Sequence, residues 1–184
     1  MIRSFLVLVL LTGCSTAAPV KTPAGAVLQG QPGEVVVLVF GSPDCPISNA
    51  LAPEYNRVHE LAKERSARFY LVHPRPDVTM DMAKQHAKEY KLTMPLILDP
   101  DYELVGAMKA TVTPEAVVLR FDKSGQPVKV YQGQVNDLYA SLGNRREHAT
   151  RAWLQDAIIA ASDGSMVEVA YRKPIGCFIE PRRP

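Results

Sequence analysis

Six consecutive apolar residues, Val35-Val-Val-Leu-Val-Phe40, run straight into Gly41-Ser-Pro-Asp44 and then Cys45-Pro46-Ile-Ser-Asn49. An unbroken, mostly β-branched run of this kind reads as a buried strand, and the Gly-Ser-Pro-Asp cluster as the turn that ends it. Pro46 suits the first position of a helix, where no backbone N–H is needed. The pattern is therefore strand, turn, cysteine, helix. Unpaired N–H groups and the positive end of the helix dipole then face the Cys45 sulfur. That setting favours the thiolate, which is the reactive form of cysteine. The alternative is an ordinary buried cysteine, and it is the position at the helix start that argues for reactivity.

The remainder alternates strands and helices. Strands are expected at 67–73, 94–98, 116–121, 128–131 and 166–171, and helices after Cys45 and at 78–90, 102–109 and 146–161. Asp122-Lys-Ser-Gly125-Gln between two strand patterns is a hairpin signal. Such alternation predicts an α/β layer fold. A hydrophobic share of 47% is ample for one core, and no internal repeat is present. The folded domain is expected to span 34–180. A net charge of +2 argues against a nucleic-acid partner. Gly-rich phosphate loops and paired metal ligands are absent. His59, His86 and His148 have no mutual ligand spacing and read as surface or capping residues. His73, at a strand end, is not counted among the site residues.

There are three cysteines, at 14, 45 and 177. Met1-Ile-Arg3 is a short basic start, and Phe5–Leu11 an apolar run too short for a bilayer, which needs about 20 residues. Leu11-Thr-Gly-Cys14 resembles a bacterial lipoprotein box. The resemblance implies a signal peptide at 1–13, acylation of Cys14, and a membrane anchor in the cell envelope, facing the periplasm or the exterior. Residues 14–33, rich in Ala, Thr, Pro and Gly, read as a lipidated, flexible tether. Export implies a compartment in which disulfides persist. Cys45 and Cys177 remain. They form a redox couple, or a structural bridge worth roughly 5 kcal/mol in the chain-entropy model, or never meet.

Further motifs carry a family resemblance. Pro53 lies where thioredoxins kink the active-site helix, and Ser48 stands in the place of their second cysteine. Thr113-Pro114, followed by an apolar strand and Asp122-Lys-Ser-Gly125, looks like their cis-proline segment. Together with Leu98-Asp-Pro-Asp101, Tyr131-Gln-Gly-Gln134 and Ile175-Gly-Cys-Phe-Ile179, these resemble a peroxiredoxin-like redoxin group of the alkyl hydroperoxide reductase/thiol-specific antioxidant superfamily. The resemblance implies a thioredoxin-like fold, a central mixed β-sheet flanked by helices. It implies a thiol oxidoreductase in which Cys45 attacks and Cys177 or an external thiol resolves. Ser42, Pro46, Ser48, Thr113 and Pro114 would position the substrate, a protein disulfide, a thiol or a hydroperoxide. No metal or other cofactor is expected. Leu38 stands where peroxidases carry a pocket proline, and Arg120 points away from the sulfur, so disulfides are expected to be better substrates than peroxides. Two other readings remain: an anchored, non-catalytic binding module with a structural Cys45–Cys177 bridge, and a copper-handling redoxin. Gly41 stands where the latter would need its first cysteine.

Overall fold

The computed structural model describes residues 24–180. The expected signal peptide and Cys14 lie outside the described residues.

In chain order the elements are α1 (Ala24–Val27), β1 (Val35–Phe40), α2 (Pro46–Ala50), α3 (Ala52–Glu64), β2 (Arg68–His73), α4 (Met80–Glu89), β3 (Leu96–Leu98), α5 (Glu103–Met108), β4 (Val112–Thr113), β5 (Glu115–Phe121), β6 (Pro127–Gly133), β7 (Tyr139–Ser141), β8 (Asn144–Arg145), α6 (Trp153–Ser162), β9 (Tyr171–Arg172) and β10 (Cys177–Phe178). The main sheet runs β3-β2-β1-β5-β6-β9. β1 pairs parallel with β2 and antiparallel with β5, so the sheet is mixed.

All six residues of β1 are buried, which explains its unbroken apolar sequence. Successive side chains of a strand point to opposite faces. Val35, Val37 and Val39 accordingly pack with Tyr55 and Val58 of α3 and with Leu154 and Ile158 of α6. Val36, Leu38 and Phe40 pack on the other face with Val27, Leu104 and Met108. The sheet thus lies between two helical layers, and the C-terminal end of β1 carries the cysteine loop.

Three boundaries differ from the sequence reading. Val27 is fully buried, and the Gly33 N–H donates to the Phe121 carbonyl, so residues 24–33 pack on the domain rather than hang from it as a tether. The last helix begins at Trp153 and not at Arg146. Asp137 accepts the Thr150 and Arg151 N–H groups, and these bonds draw the chain away from helical geometry. Ala149 and His148, which lie in this irregular stretch, are exposed. The final strand of the main sheet is Tyr171–Arg172, while Met166 is almost wholly exposed. Among the described residues no helix is long and apolar enough to cross a membrane.

Candidate functional site

The cysteine loop is braced at its root. The Gly41 N–H donates to the Val72 carbonyl at 2.9 Å. The Gly41 carbonyl accepts from Nδ1 of His73 at 3.1 Å. His73 is therefore a buried support for the loop, not a surface group. Burial first, then the neighbouring His86, lowers its pKa from 6.5 to about 4, so it is neutral at ordinary pH. A Cβ on Gly41 would meet Leu71 Cδ1 at 2.7 Å, so a larger residue there requires repacking. Asn49 ties the loop to α4. Its Nδ2 donates to the Pro43 carbonyl at 2.7 Å, and its Oδ1 accepts from His86 Nε2 at 2.8 Å. His59 and His86 are both buried, where sequence alone suggested surface positions. Both titrate below the ordinary value, chiefly through desolvation.

Cys45 is the N-cap of α2, in extended geometry, and Pro46 opens the helix. Pro53 sits in the first turn of α3, where its missing N–H leaves no bond unmade, and the break at Leu51 separates the two helices. The Thr113-Pro114 bond is cis. Cys45 is 1% exposed. Its Sγ donates to the Thr113 carbonyl at 2.9 Å and lies 2.7 Å from Sγ of Cys177. Both cysteines are free thiols. Cys177 is exposed as a residue, but its sulfur is turned inward. Burial of that sulfur first, then its contact with Cys45, pushes the Cys177 thiol up to about 12.

The carbonyl that receives the Cys45 proton is itself held. Glu115, 1% exposed, accepts from the Thr111 N–H (2.7 Å), the Thr111 hydroxyl (3.1 Å), the Val112 N–H (3.3 Å) and Gln132 Nε2 (2.5 Å). A buried carboxylate is tolerated when its lone pairs are met in this way. The clamp accounts for Glu115 and Gln132 in the two motifs that contain them. A lone carboxylate inside an apolar strand was the signal for it. Asp99, also buried, accepts the Leu104 and Val105 N–H groups and so holds the start of α5.

The C-terminal segment completes the site. β10 pairs antiparallel with β4, Cys177 opposite Thr113 and Phe178 opposite Val112. A cleft of about 890 Å³ opens beside the two sulfurs, lined by Ser42, Cys45, Thr113 and Cys177 together with the 74–77 and 100–102 turns and the tail to Glu180. Arg75, on its rim, pairs with both Asp44 and Asp77. Of the other expected positioning residues, Pro46 is exposed, and Ser48 is buried with its hydroxyl 3.2 Å from the Tyr55 hydroxyl. Burial above all pushes the Tyr55 phenol well above its usual range. Pro114 lines a small neighbouring recess with Ile47 and Ile175. Arg120 stands opposite Val35 at the far end of the sheet. Among the described residues no three His, Cys, Asp or Glu side chains are grouped to hold a metal ion.

Residues 25–129 match the model of the AhpC/TSA family. Among solved structures, an uncharacterized conserved protein from Geobacillus kaustophilus is 22% identical, with a TM-score of 0.71 over 88% of this chain and 82% of that one. A hypothetical protein from Sinorhizobium meliloti is 22% identical, with a TM-score of 0.67 over 80% of this chain and 79% of that one. A structure of MTB DsbF in mixed oxidized and reduced forms is 19% identical, with a TM-score of 0.50 over 71% and 82% of the two chains. No curated protein matches. The fold is thioredoxin-like.

Proposed function

The chain belongs to the AhpC/TSA family, and from that premise we propose that it is a thiol–disulfide oxidoreductase working through Cys45 and Cys177. The observation that carries this reading is the meeting of the two sulfurs at 2.7 Å, one at a helix start and the other on the last strand. The Cys45 thiolate attacks one sulfur of a substrate disulfide and expels the other as a thiolate. Cys177 gives its proton to the departing substrate thiolate, and its sulfur then attacks the Cys45 sulfur, breaking the mixed disulfide and releasing the second substrate cysteine as a thiolate. Two electrons pass to the substrate, and the chain is left with an intramolecular disulfide. An external dithiol returns it to the reduced state. Thiols are about 2.05 Å apart once bonded, so a small approach of Cys177 closes the bridge.

Hydroperoxide is the weaker substrate in this reading. Peroxide cleavage needs donors aimed at the departing oxygen, and Arg75 in the cleft lining is engaged by two carboxylates. Mild oxidation of the reduced chain, followed by peptide mapping, should give a Cys45–Cys177 disulfide that a glutathione redox buffer titrates reversibly. Finding both thiols intact overturns the proposal.

The same proposal places the chemistry outside the cytoplasm, with the domain held to a membrane through acylated Cys14 after removal of residues 1–13. Cys14→Ala should move the protein from the membrane to the soluble fraction; an unchanged distribution removes the anchor.

A further inference from the structure

Resting on the dithiol reading above, we propose that the tail strand Cys177–Phe178 is an internal stand-in for substrate. The partner is an extended polypeptide carrying a disulfide. It displaces the tail from the Val112–Thr113 edge and binds there in the tail's own register, with glycine before its cysteine.

Access comes first. Cys45 is 1% exposed, and its sulfur lies between the Thr113 carbonyl and Cys177. A protein disulfide cannot reach that sulfur while the tail is seated. Release is local. Among the described residues, β10 and β4 are two residues each, and their backbone pairing extends through the Ile179 N–H to the Thr111 carbonyl at 3.0 Å. The chain just upstream is held much better. The Gln132 N–H donates to the Ala170 carbonyl at 3.0 Å, Gln134 Nε2 to the Lys173 carbonyl at 3.1 Å, and the Arg172 guanidinium lies 4.3 Å from the Trp153 ring centre. The tail can therefore swing out beyond Lys173 without loss of β9.

What takes its place is written in the register. A strand paired as the tail is, with its cysteine opposite Thr113, sets its sulfur against Cys45. The residue before that cysteine lies against backbone. A Cβ on Gly176 would meet the Thr113 oxygen at 2.2 Å, the Thr113 carbonyl carbon at 2.5 Å and the Pro114 nitrogen at 2.9 Å. Only glycine fits there. The next residue is unrestricted, since Phe178 is 81% exposed. The one after it is apolar, as Ile179 packs on the second core cluster. The fitted segment is thus Gly-Cys-any-apolar. Exchange then follows the thiol balance already given: the mixed disulfide forms with the tail out, and the tail's return brings Cys177 back to resolve it. Substrate and resolving thiol use one edge in turn.

The test uses the full chain with Gly176→Val, which unseats β10. In the reduced state its Cys45 should react with a bulky maleimide about tenfold or more faster than in the wild type, read by peptide mapping, because protection falls when the local strand opens. An equal rate overturns the proposal. A synthetic peptide Lys-Pro-Ile-Gly-Cys-Phe-Ile-Glu, activated on its cysteine as a thionitrobenzoate disulfide, should then transfer to Cys45 of this variant about tenfold faster than the same peptide with alanine for glycine. Equal transfer overturns the register. Should the variant unfold, wild-type hydrogen exchange decides: the Ile179 amide is expected to exchange about a hundredfold faster than that of Gln132, and equal protection overturns release. If oxidation links Cys45 to Cys177 in the wild type while these readouts are unchanged, only the displacement idea falls. If no such link forms, the dithiol reading falls with it.

Discussion

The loop that carries Cys45 is fastened to β2, α4 and β4, whereas the tail that carries Cys177 lies on a two-residue edge pairing downstream of a firm anchor. His73 holds Gly41, and Asn49 holds Pro43. Glu115 fixes β4, whose Thr113 carbonyl takes the Cys45 proton. On the other side, β10 is a two-residue strand on an edge, with Phe178 in solvent. The difference teaches how a pair of thiols in contact can be given unequal parts. A nucleophile gains from fixed geometry. Under the proposed mechanism Cys177 must leave room for the mixed disulfide and then come back, which a two-residue strand with an upstream anchor allows.

The largest expected effect tests that inequality at the sulfurs. Cys45→Ser should abolish thiol–disulfide exchange, because serine offers no thiolate near neutral pH. Cys177→Ser should preserve the first attack and accumulate a mixed disulfide on Cys45, visible as a mass increase that dithiothreitol removes. Equal loss of stability in both variants, up to roughly 5 kcal/mol, with no adduct in either, would return the pair to a structural bridge.

Next comes the clamp on the fixed side. Glu115→Leu strands the Thr111 and Val112 N–H groups and the Gln132 amide in a buried place. The denaturant midpoint should fall by an amount equivalent to about 4 kcal/mol. A change below about 1 kcal/mol, the size usual for surface sites, would show that β4 is no better held than the tail.

The smallest effect depends on pH. His73 titrates at about 4 in the folded chain, against 6.5 when unfolded. Between these values the unfolded chain binds the extra proton. Stability is therefore complete above pH 6.5 and declines as the pH falls towards 4, by up to about 3 kcal/mol. His73→Asn, which keeps an amide donor for Gly41, should flatten that slope in melting curves. An unchanged slope would show that the loop root does not depend on a neutral His73.

The local half of this architecture was legible in the sequence. The run at 35–40 read as a buried strand, and Cys45-Pro46 after a turn as the opening of a helix. Thr113-Pro114 was placed beside the sulfur by family likeness. Less visible was everything that depends on distant partners. His59 and His86 looked like surface or capping residues because nothing nearby in the chain shows that the fold buries them. Residues 24–33 looked like a tether because Val27 is a lone apolar residue among small ones, and only the sheet face it covers makes it core. Arg146–Ala152 looked helical until Asp137 captured its N–H groups.

By itself, then, the sequence determined the strand–turn–Cys–helix unit, the α/β layering and the candidate nucleophile, because period, β-branching and a missing proline N–H act within a few residues. The tertiary structure alone decided that Cys177 returns to β4, that Glu115 holds that strand, and that Gly176 cannot bear a side chain. These follow from backbones meeting across the fold, where spacing along the chain carries no information about distance in space.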